Sequence, residues 1–460
     1  MNLLGQNRRS GWQTALLSAL ILFPVAIRHL FFWGGALAPI LHLAEALGFF
    51  AWLSLILLRP RITSLRESIG LLAVMVLVPA FLSEDLGIYI IRGRELAVHF
   101  TNPYAHPPED LATQDPLMAL AKGWGKNPNP YGPIALLLAA GAAWLSNLVS
   151  ALLPKGANSS LLALLPGALL FKAALMGTLI QAGRLLERHG GTALMLAFLL
   201  NPFVLTEALL SGHNDALLVL PLLATVLALR KDAFFQASLL LWMGVLIKFT
   251  PLALLPLLFA AALRKKRLGP TLWGNLVGVL LFGLCWLVFW RETGLAFLTQ
   301  QAEIEGASLQ HLLGLILGLP VDLIFRRIFM GIGVLYALFE ARRVFRGEAF
   351  AWAAARTMAF VVGLGLSFPN LWYAFWWIPF LLLAPPTGTL SAEKEEEEAK
   401  RLLPLRVLGV LGPLSYVVYL STRTLGPVHQ WTQWAMGIFI PSVCVLLPGC
   451  VQPRGPRPSK

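Results

Sequence analysis

Residues 133–153 read PIALLLAAGAAWLSNLVSALL, and this stretch decides the fold. It carries no charged side chain from end to end. An α-helix rises 1.5 Å per residue, so about 20 such residues span the roughly 30 Å hydrocarbon core of a bilayer. Inside lipid a helix is also the form that satisfies every backbone N–H and C=O within one segment. Working outward, apolar segments follow at 160–183, 191–209, 214–229, 233–247, 251–263 and 271–290. Others precede it at 12–32, 37–58 and 67–83, and the chain ends with segments at 328–341, 350–366, 371–386, 403–421 and 432–449.

The composition agrees. Hydrophobic residues make up 57% of the 460 residues and charged residues 13%, against roughly 25% charged in soluble domains. A soluble core could not hide so many spanning-length runs. The expected fold is all-α: a polytopic integral membrane protein, a helical bundle of roughly 12–14 membrane segments with a large first outer loop. The net charge of +13 is no sign of nucleic acid, because the basic residues stand in short clusters between apolar runs, such as Arg264-Lys265-Lys266-Arg267. Such clusters follow the positive-inside rule. Cys285, Cys444 and Cys450 show no metal-ligand spacing and imply no disulfide framework. Arg8 and Arg9 precede the first apolar run with no small-residue cleavage site, so it is expected to be retained.

The organisation expected is an N-terminal membrane hairpin (1–66), a membrane module (67–290) with outer loop 84–132, a second outer loop with further spans (291–386), a charged cytoplasmic loop (387–402), a C-terminal hairpin (403–450) and a basic tail (451–460). The start of the first outer loop, SEDLGIYIIRGRELAVHF, reads as a short interfacial helix. Its proline-rich remainder reads as loop. The acidic run Glu395 to Glu398, beside Lys394, Lys400 and Arg401, reads as a solvated loop. Topology meets a parity conflict. Arg184, Arg188, Arg230, Lys231 and Arg264 to Arg267 call for the inside and Tyr131 for the outside, so one segment between 133 and 215 is expected to be irregular or re-entrant. The alternative joins 233–263 into one broken span.

Polar residues at membrane depth are functional candidates, because burying an unpaired charge there costs several kcal/mol. Glu84-Asp85 stand where the chain leaves a span. Paired carboxylates there suit a general base or a cation ligand, or else a helix start, where acidic residues are favoured anyway. Asn102-Pro103-Tyr104 and Asn129-Pro130-Tyr131-Gly132-Pro133 suit turns that fix a loop over a site, or ordinary turn chemistry. Asn201-Pro202, Glu207 and Gly212-His213-Asn214-Asp215 interrupt apolar sequence. They suit a site for a sugar, cation or phosphate, or an interhelical polar lock. Lys248-Phe249-Thr250-Pro251 puts a lone lysine between apolar segments, for an anion or for snorkelling. Pro369-Asn370-Leu371-Trp372-Tyr373, with Trp376 and Trp377, suits an aromatic belt or stacking on sugar faces.

Taken in order, these elements resemble the GT-C class of polyprenyl-phosphate-sugar-dependent glycosyltransferases. Nearest are the bacterial polyprenol-phosphomannose-type mannosyltransferases and glycosyltransferase family 87. The resemblance spans residues 83–377 and implies a GT-C-like bundle in the plasma (inner) membrane, with the active site on the outer, periplasmic face. It implies transfer of a hexose, mannose favoured, from a polyprenyl-phosphate-linked donor to a hydroxyl of a glycan or glycolipid acceptor, with inversion. Asp85 matches the family's base, with Glu84 assisting. Lys248, with Arg92, Arg94, Arg291 and His311 near the outer face, would bind the donor phosphate. Asn102, Tyr104, Tyr131, His213, Asn214, Asp215, Trp372 and Tyr373 would bind sugar or acceptor. Membrane lipid is the other partner; nucleic acid is not. No cofactor is required, and a divalent cation stays open, since no all-carboxylate cage is visible. The chain departs from its relatives in having Glu84-Asp85 for two Asp, Ile91 and Arg92 for an aromatic and an Asp, and YGP for YPP. Two other classes share the many spans: a flippase for lipid-linked sugars, which commonly shows inverted repeats, and a non-catalytic scaffold of envelope assembly.

Overall fold

In the computed structural model the chain is built of helices, with no strand among the described residues. Those residues are 8–31, 38–58, 62–80, 82–152, 160–289, 306–320, 323–385, 401–422 and 428–447. Three helices, α1 (Arg8–Phe31), α2 (Ala38–Leu58) and α3 (Leu65–Leu77), precede α4 (Asp85–Ala97). After the outer loop come α5 (Pro133–Leu152), α6 (Ser160–Leu199), α7 (Pro202–Val204), α8 (Val219–Arg230), α9 (Phe234–Ile247), α10 (Leu255–Arg264) and α11 (Leu268–Leu287). Among the described residues four helices are long and apolar enough to cross a membrane: α5, α6 over Ala163–Leu199, α11, and Leu403–Leu420. A fifth forms if Pro202–Leu210 and Asn214–Arg230, which meet at 112°, are one broken span. Shorter apolar helices, including α9, fill the rest of the bundle. The chain is thus an all-α polytopic membrane protein.

Small residues set the packing around α5. Proline at its first position loses no hydrogen bond, since the first N–H groups of a helix have no partner. Ala135, Ala139, Ala140, Ala142 and Ala143 then line its buried face. A Cβ on Gly93 of α4 would lie 2.0 Å from the Ala139 carbonyl oxygen, and one on Gly167 of α6 2.4 Å from that of Ala142. Backbones approach this closely only where side chains are absent, as at many membrane helix contacts. The other face of α5 turns Leu137, Trp144 and Leu148 outward, as expected of a helix whose outer solvent is hydrocarbon.

Two expectations change. The expected interfacial helix, α4, is not a surface helix: it buries Leu86, Ile88, Tyr89, Ile90, Ile91, Arg92, Gly93 and Glu95 and packs on α5. The segments 160–183 and 191–209 also divide differently. α6 runs on through Arg184 and Arg188, kinks at Gly191 (φ 78°) and continues to Leu199. The chain re-starts at Pro202, where Asn201 Oδ1 accepts the Phe203 N–H at 2.9 Å as a helix N-cap. The stretch after it is irregular, within the 133–215 range where an irregular segment was expected: a π-helix at Leu205–Leu210, Gly212 at φ 79°, and a 3-10 helix at Asn214–Leu218. The aromatic run is irregular too, a 3-10 turn at Leu371–Trp376 followed by the short helix Ile378–Leu383.

Candidate functional site

The site begins where α4 begins. Ser83 Oγ accepts the Asp85 N–H at 3.1 Å, which turns the chain out of its preceding segment. Tyr89, one turn on, donates its hydroxyl to Asp85 Oδ2 at 3.3 Å. Asp85 keeps 15% of its side chain exposed. Glu84 is exposed just ahead of it.

The irregular 201–218 segment brings three more ionisable groups to Asp85. A π-turn carries one extra residue and so shifts the side chains that follow it. Gly212 takes the positive φ that other residues resist, and the His213 N–H returns to the Glu207 carbonyl at 2.9 Å. His213 consequently lies between two carboxylates. Its Nδ1 is 3.4 Å from Asp85 Oδ2 and its Nε2 is 3.3 Å from Glu207 Oε2. Both contacts are longer than the 2.7–2.9 Å of tight charge-assisted bonds, and neither has hydrogen-bond geometry. The imidazole stacks on Trp372, centroids 3.6 Å apart and 11° from parallel. Behind it, Tyr416 donates its hydroxyl to Glu207 Oε2 at 3.2 Å.

Lys248 completes the cluster. α9 stops at Ile247 because Lys248 is extended (φ −156°) and Pro251 soon bars a continued helix. Lys248 Nζ donates to Asp215 Oδ1 at 2.8 Å, and Trp376 Nε1 donates to the same oxygen at 2.6 Å. The ammonium sits 4.1 Å from the centre of the Tyr373 ring and 5.9 Å from that of Tyr131. A desolvated cation over a ring gains about 2 kcal/mol. An ionised Asp or Lys at mid-bilayer costs roughly 2.5–3.5 kcal/mol. The pairing of Lys248 with Asp215 therefore offsets a cost that either would bear alone.

Several polar atoms here lack a hydrogen-bond partner among the described residues: Thr206 Oγ1, Glu207 Oε1, Ser211 Oγ, Asn214 Oδ1 and Asp215 Oδ2. Each such buried atom costs about 1–3 kcal/mol. A concentration of them is a place where water, an ion or a polar ligand can supply the missing bonds.

The other expected residues lie elsewhere or serve the frame. Arg92, expected at the donor phosphate, is buried with its guanidinium between Glu95 (3.3 Å) and the carbonyls of Trp124 (3.1 Å) and Asn127. Burial pushes the Glu95 carboxyl up to about 8, against the pull of Arg92. Arg94, given the same role, binds Asp115 and reaches Asn147 at 3.3 Å. His99 Nε2 meets Asp115 as well, at 2.8 Å. Both arginines thus hold the folded outer loop, and among the described residues Arg92 Nε is left without a partner. Asn102 accepts the Tyr104 N–H at 3.1 Å and donates to the Phe289 carbonyl at 3.1 Å. Tyr104 is buried against Trp286 and Phe289 and donates to the Tyr131 carbonyl at 2.7 Å. These two position Tyr131. His311 sits by Trp431, 5.7 Å between ring centroids. Arg291, the run Glu395 to Glu398 and the tail 451–460 lie outside the described residues.

The structure therefore brings together Asp85, Tyr131, His213, Asp215, Lys248, Trp372 and Tyr373, with Asn214 alongside. It adds Tyr89, Glu207, Trp376 and Tyr416. Glu207 had a visible signal, a carboxylate in an apolar run; Tyr416, 209 residues from Glu207, had none. Among the described residues no group of three His, Cys, Asp or Glu side chains is placed to hold a metal ion. His213 faces its two carboxylates with opposite ring nitrogens, so these three do not converge on one point.

Comparison with known proteins gives the geometry its context. No curated protein matches the chain. The family described as alpha-(1->6)-mannopyranosyltransferase, N-terminal domain, matches residues 33–264, about half of the chain. The match takes in Asp85, the outer loop, Glu207, the GHND element and Lys248. A membrane bundle that gathers a partly exposed carboxylate, a lysine and an aromatic wall is what transfer of a sugar to a glycan acceptor asks for, and the chain belongs to this mannosyltransferase family, as a glycosyltransferase of the GT-C type.

Proposed function

We propose that the protein moves mannose from a polyprenyl-phosphate-linked donor to a hydroxyl of a glycan or glycolipid at the outer face of the plasma membrane, with inversion and with Asp85 as base. One observation carries this reading. Of the five ionisable groups Asp85, Glu207, His213, Asp215 and Lys248, only Asp85 and Lys248 keep an exposed edge, at 15% and 12%. A carboxylate and an ammonium are the two groups the reaction needs at a substrate. As the anomeric carbon–oxygen bond to phosphate breaks, negative charge grows on the phosphate, and Lys248 is placed to stabilise it. As the new bond from the acceptor oxygen forms, that oxygen loses its proton to Asp85. Phosphate leaves without needing a proton. The aromatic faces of Trp372, Tyr373 and Trp376 suit the apolar face of a hexose.

The linkage named for the family sharpens the chemistry. An alpha product formed with inversion requires a beta-linked donor, and a 1->6 linkage requires a primary hydroxyl on the acceptor. The carrier being a lipid fits a site reached from within a bundle whose outer faces are leucine and tryptophan. The test uses purified protein with beta-mannosyl polyprenyl phosphate and oligomannoside acceptors, beside Asp85→Asn. Transfer by the wild type and none by the variant is the expected result. Equal transfer by both sinks the role of Asp85. Transfer from a nucleotide sugar but from no lipid-linked donor sinks the donor class.

A further inference from the structure

The helix Leu323–Phe345 ends in arginines that take no part in the steps above. We propose that Arg342 and Arg346, together with Arg264 at the end of α10, hold the phosphate of an anionic membrane phospholipid whose acyl chain lies along the helix below them.

Sequence spacing places the groups first. Residues three, four and seven apart share a helix face. Arg346, Arg342, Leu338, Leu335 and Ile328 therefore fall in one stripe. Its apolar members are between 50% and 67% exposed, and both arginines are exposed as well. From Ile328 to Arg342 the helix rises roughly 21 Å, against about 15 Å for the hydrocarbon of one leaflet. Cations that crown an apolar stripe of this length match a lipid, which is charged at one end and apolar for the rest.

Packing adds the third cation. α10 packs on this helix, and a Cβ on Gly347 would stand 3.1 Å from Arg264 Nη2. The Arg264 guanidinium thus lies against the residue that follows Arg346. The acids at this end are engaged elsewhere. Glu348 binds Arg343 and Arg356 at 2.6 Å each, and Glu340 binds Arg356 at 2.6 Å. Asp232 pairs with Lys265 at 3.2 Å. Among the described residues Arg264, Arg342 and Arg346 have no acidic partner. Like charges gathered in this way repel one another. A shared phosphate turns that repulsion into attraction, and guanidinium forks fit its oxygens. The lipid held here is not the sugar donor. Asp232 precedes α9 and Lys248 follows it, so the length of that helix, roughly 21 Å, separates this surface from the candidate site.

The test is native mass spectrometry of the full chain in detergent, with phosphatidylglycerol and phosphatidylcholine of the same acyl chains in competition. Each cation near an anionic lipid contributes a factor of about five. The wild type should therefore prefer phosphatidylglycerol about a hundredfold. Arg264→Gln, Arg342→Gln and Arg346→Gln should each weaken that preference about fivefold, and the three together should abolish it. Arg184→Gln with Arg188→Gln removes two exposed cations of α6 and should leave the preference in place. No preference in the wild type overturns the proposal, and so does an equal loss in the α6 variant, which would show a general effect of charge. Displacement of the lipid by inorganic phosphate would reveal a site for a soluble anion and overturns it as well. If the triple variant does not fold, the single variants decide, and three unmoved preferences overturn the proposal. Leu335→Asn should weaken retention too, and retention unchanged there overturns the place given to the acyl chain.

Discussion

Two of the buried charge clusters among the described residues are finished differently. In the helix pair Leu323–Phe345 and Phe350–Phe360, Arg356 binds Glu340 through Nε at 2.9 Å and Nη2 at 2.6 Å, and Glu348 at 2.6 Å. Arg343 adds a bond to Glu348 at 2.6 Å. Both oxygens of Glu340 are occupied, and the bidentate fork closes the helical hairpin. The cluster around His213 is unfinished: Asp215 has one oxygen with two donors and one with none, and Glu207 has an oxygen with none. Buried charge alone is thus a poor guide to function. What separates the site from the clamp is carboxylate oxygens left without a donor: the clamp has none, and its one partnerless buried atom is the donor Arg356 Nη1.

The sharpest break in this comparison comes from one change on each side. Asp85→Asn should reduce transfer by about 10²–10⁴-fold, the range of general base catalysis, while thermal unfolding in detergent stays near that of the wild type. Arg356→Met should do the reverse. It leaves the buried Glu340 with Arg343 alone, at 3.4 Å, and should destabilise the fold by up to about 3–5 kcal/mol, yet the folded fraction should keep its kcat/KM. Activity lost per folded molecule in that variant would erase the distinction between clamp and site.

How much of this was legible in the sequence depends on the range of the interactions. The apolar runs needed only local reading, and most of their positions hold, with the division of 160–209 the exception. Asp85, His213, Asp215 and Lys248 stood out because charge in apolar sequence has few explanations. The break at Gly212 was legible in the same way, since glycine and a polar triplet between apolar runs leave little room for a continuous helix. The loop partners of Arg92 and Arg94, carbonyls at 124 and 127 and a carboxylate at 115, were not legible, because they are fixed only by the folded loop. Tyr416 reaches Glu207 from a distant helix, and no local pattern announces that.

Two smaller effects refine the comparison. Trp372→Leu removes the stack beneath His213 and should lower kcat/KM by an amount equivalent to about 0.5–1.5 kcal/mol, the usual worth of an aromatic pair, measured with donor saturating. The smallest effect belongs to the outer loop. Burial acts to raise the Asp115 carboxyl, but hydrogen bonds from His99 and Arg94 outweigh it and hold it below the ordinary 3.8. A depressed carboxyl contributes stability that is complete above its unfolded value and is lost as the pH falls through the folded one. Protection of the 99–117 amides against hydrogen exchange should therefore persist from neutral pH to about pH 4 and fall below it. Protection that fell already between pH 7 and 5 would show that Asp115 does not set the loop's acid limit.

Gly132 has a consequence for anyone who would rebuild this protein. Its N–H donates to the Ile247 carbonyl at 2.9 Å, and a Cβ there would stand 2.3 Å from the Leu246 carbonyl oxygen. The end of the outer loop and the turn that presents Lys248 are thus joined backbone to backbone, with no side chain between them to act as a spacer. A loop transplanted from a relative that carries proline at this place has neither the donor nor the clearance. The natural unit of exchange is therefore not the loop alone but the loop together with residues 244–251. A chimera that respects this seam moves both sides of the reaction at once, and one that cuts across it moves neither cleanly.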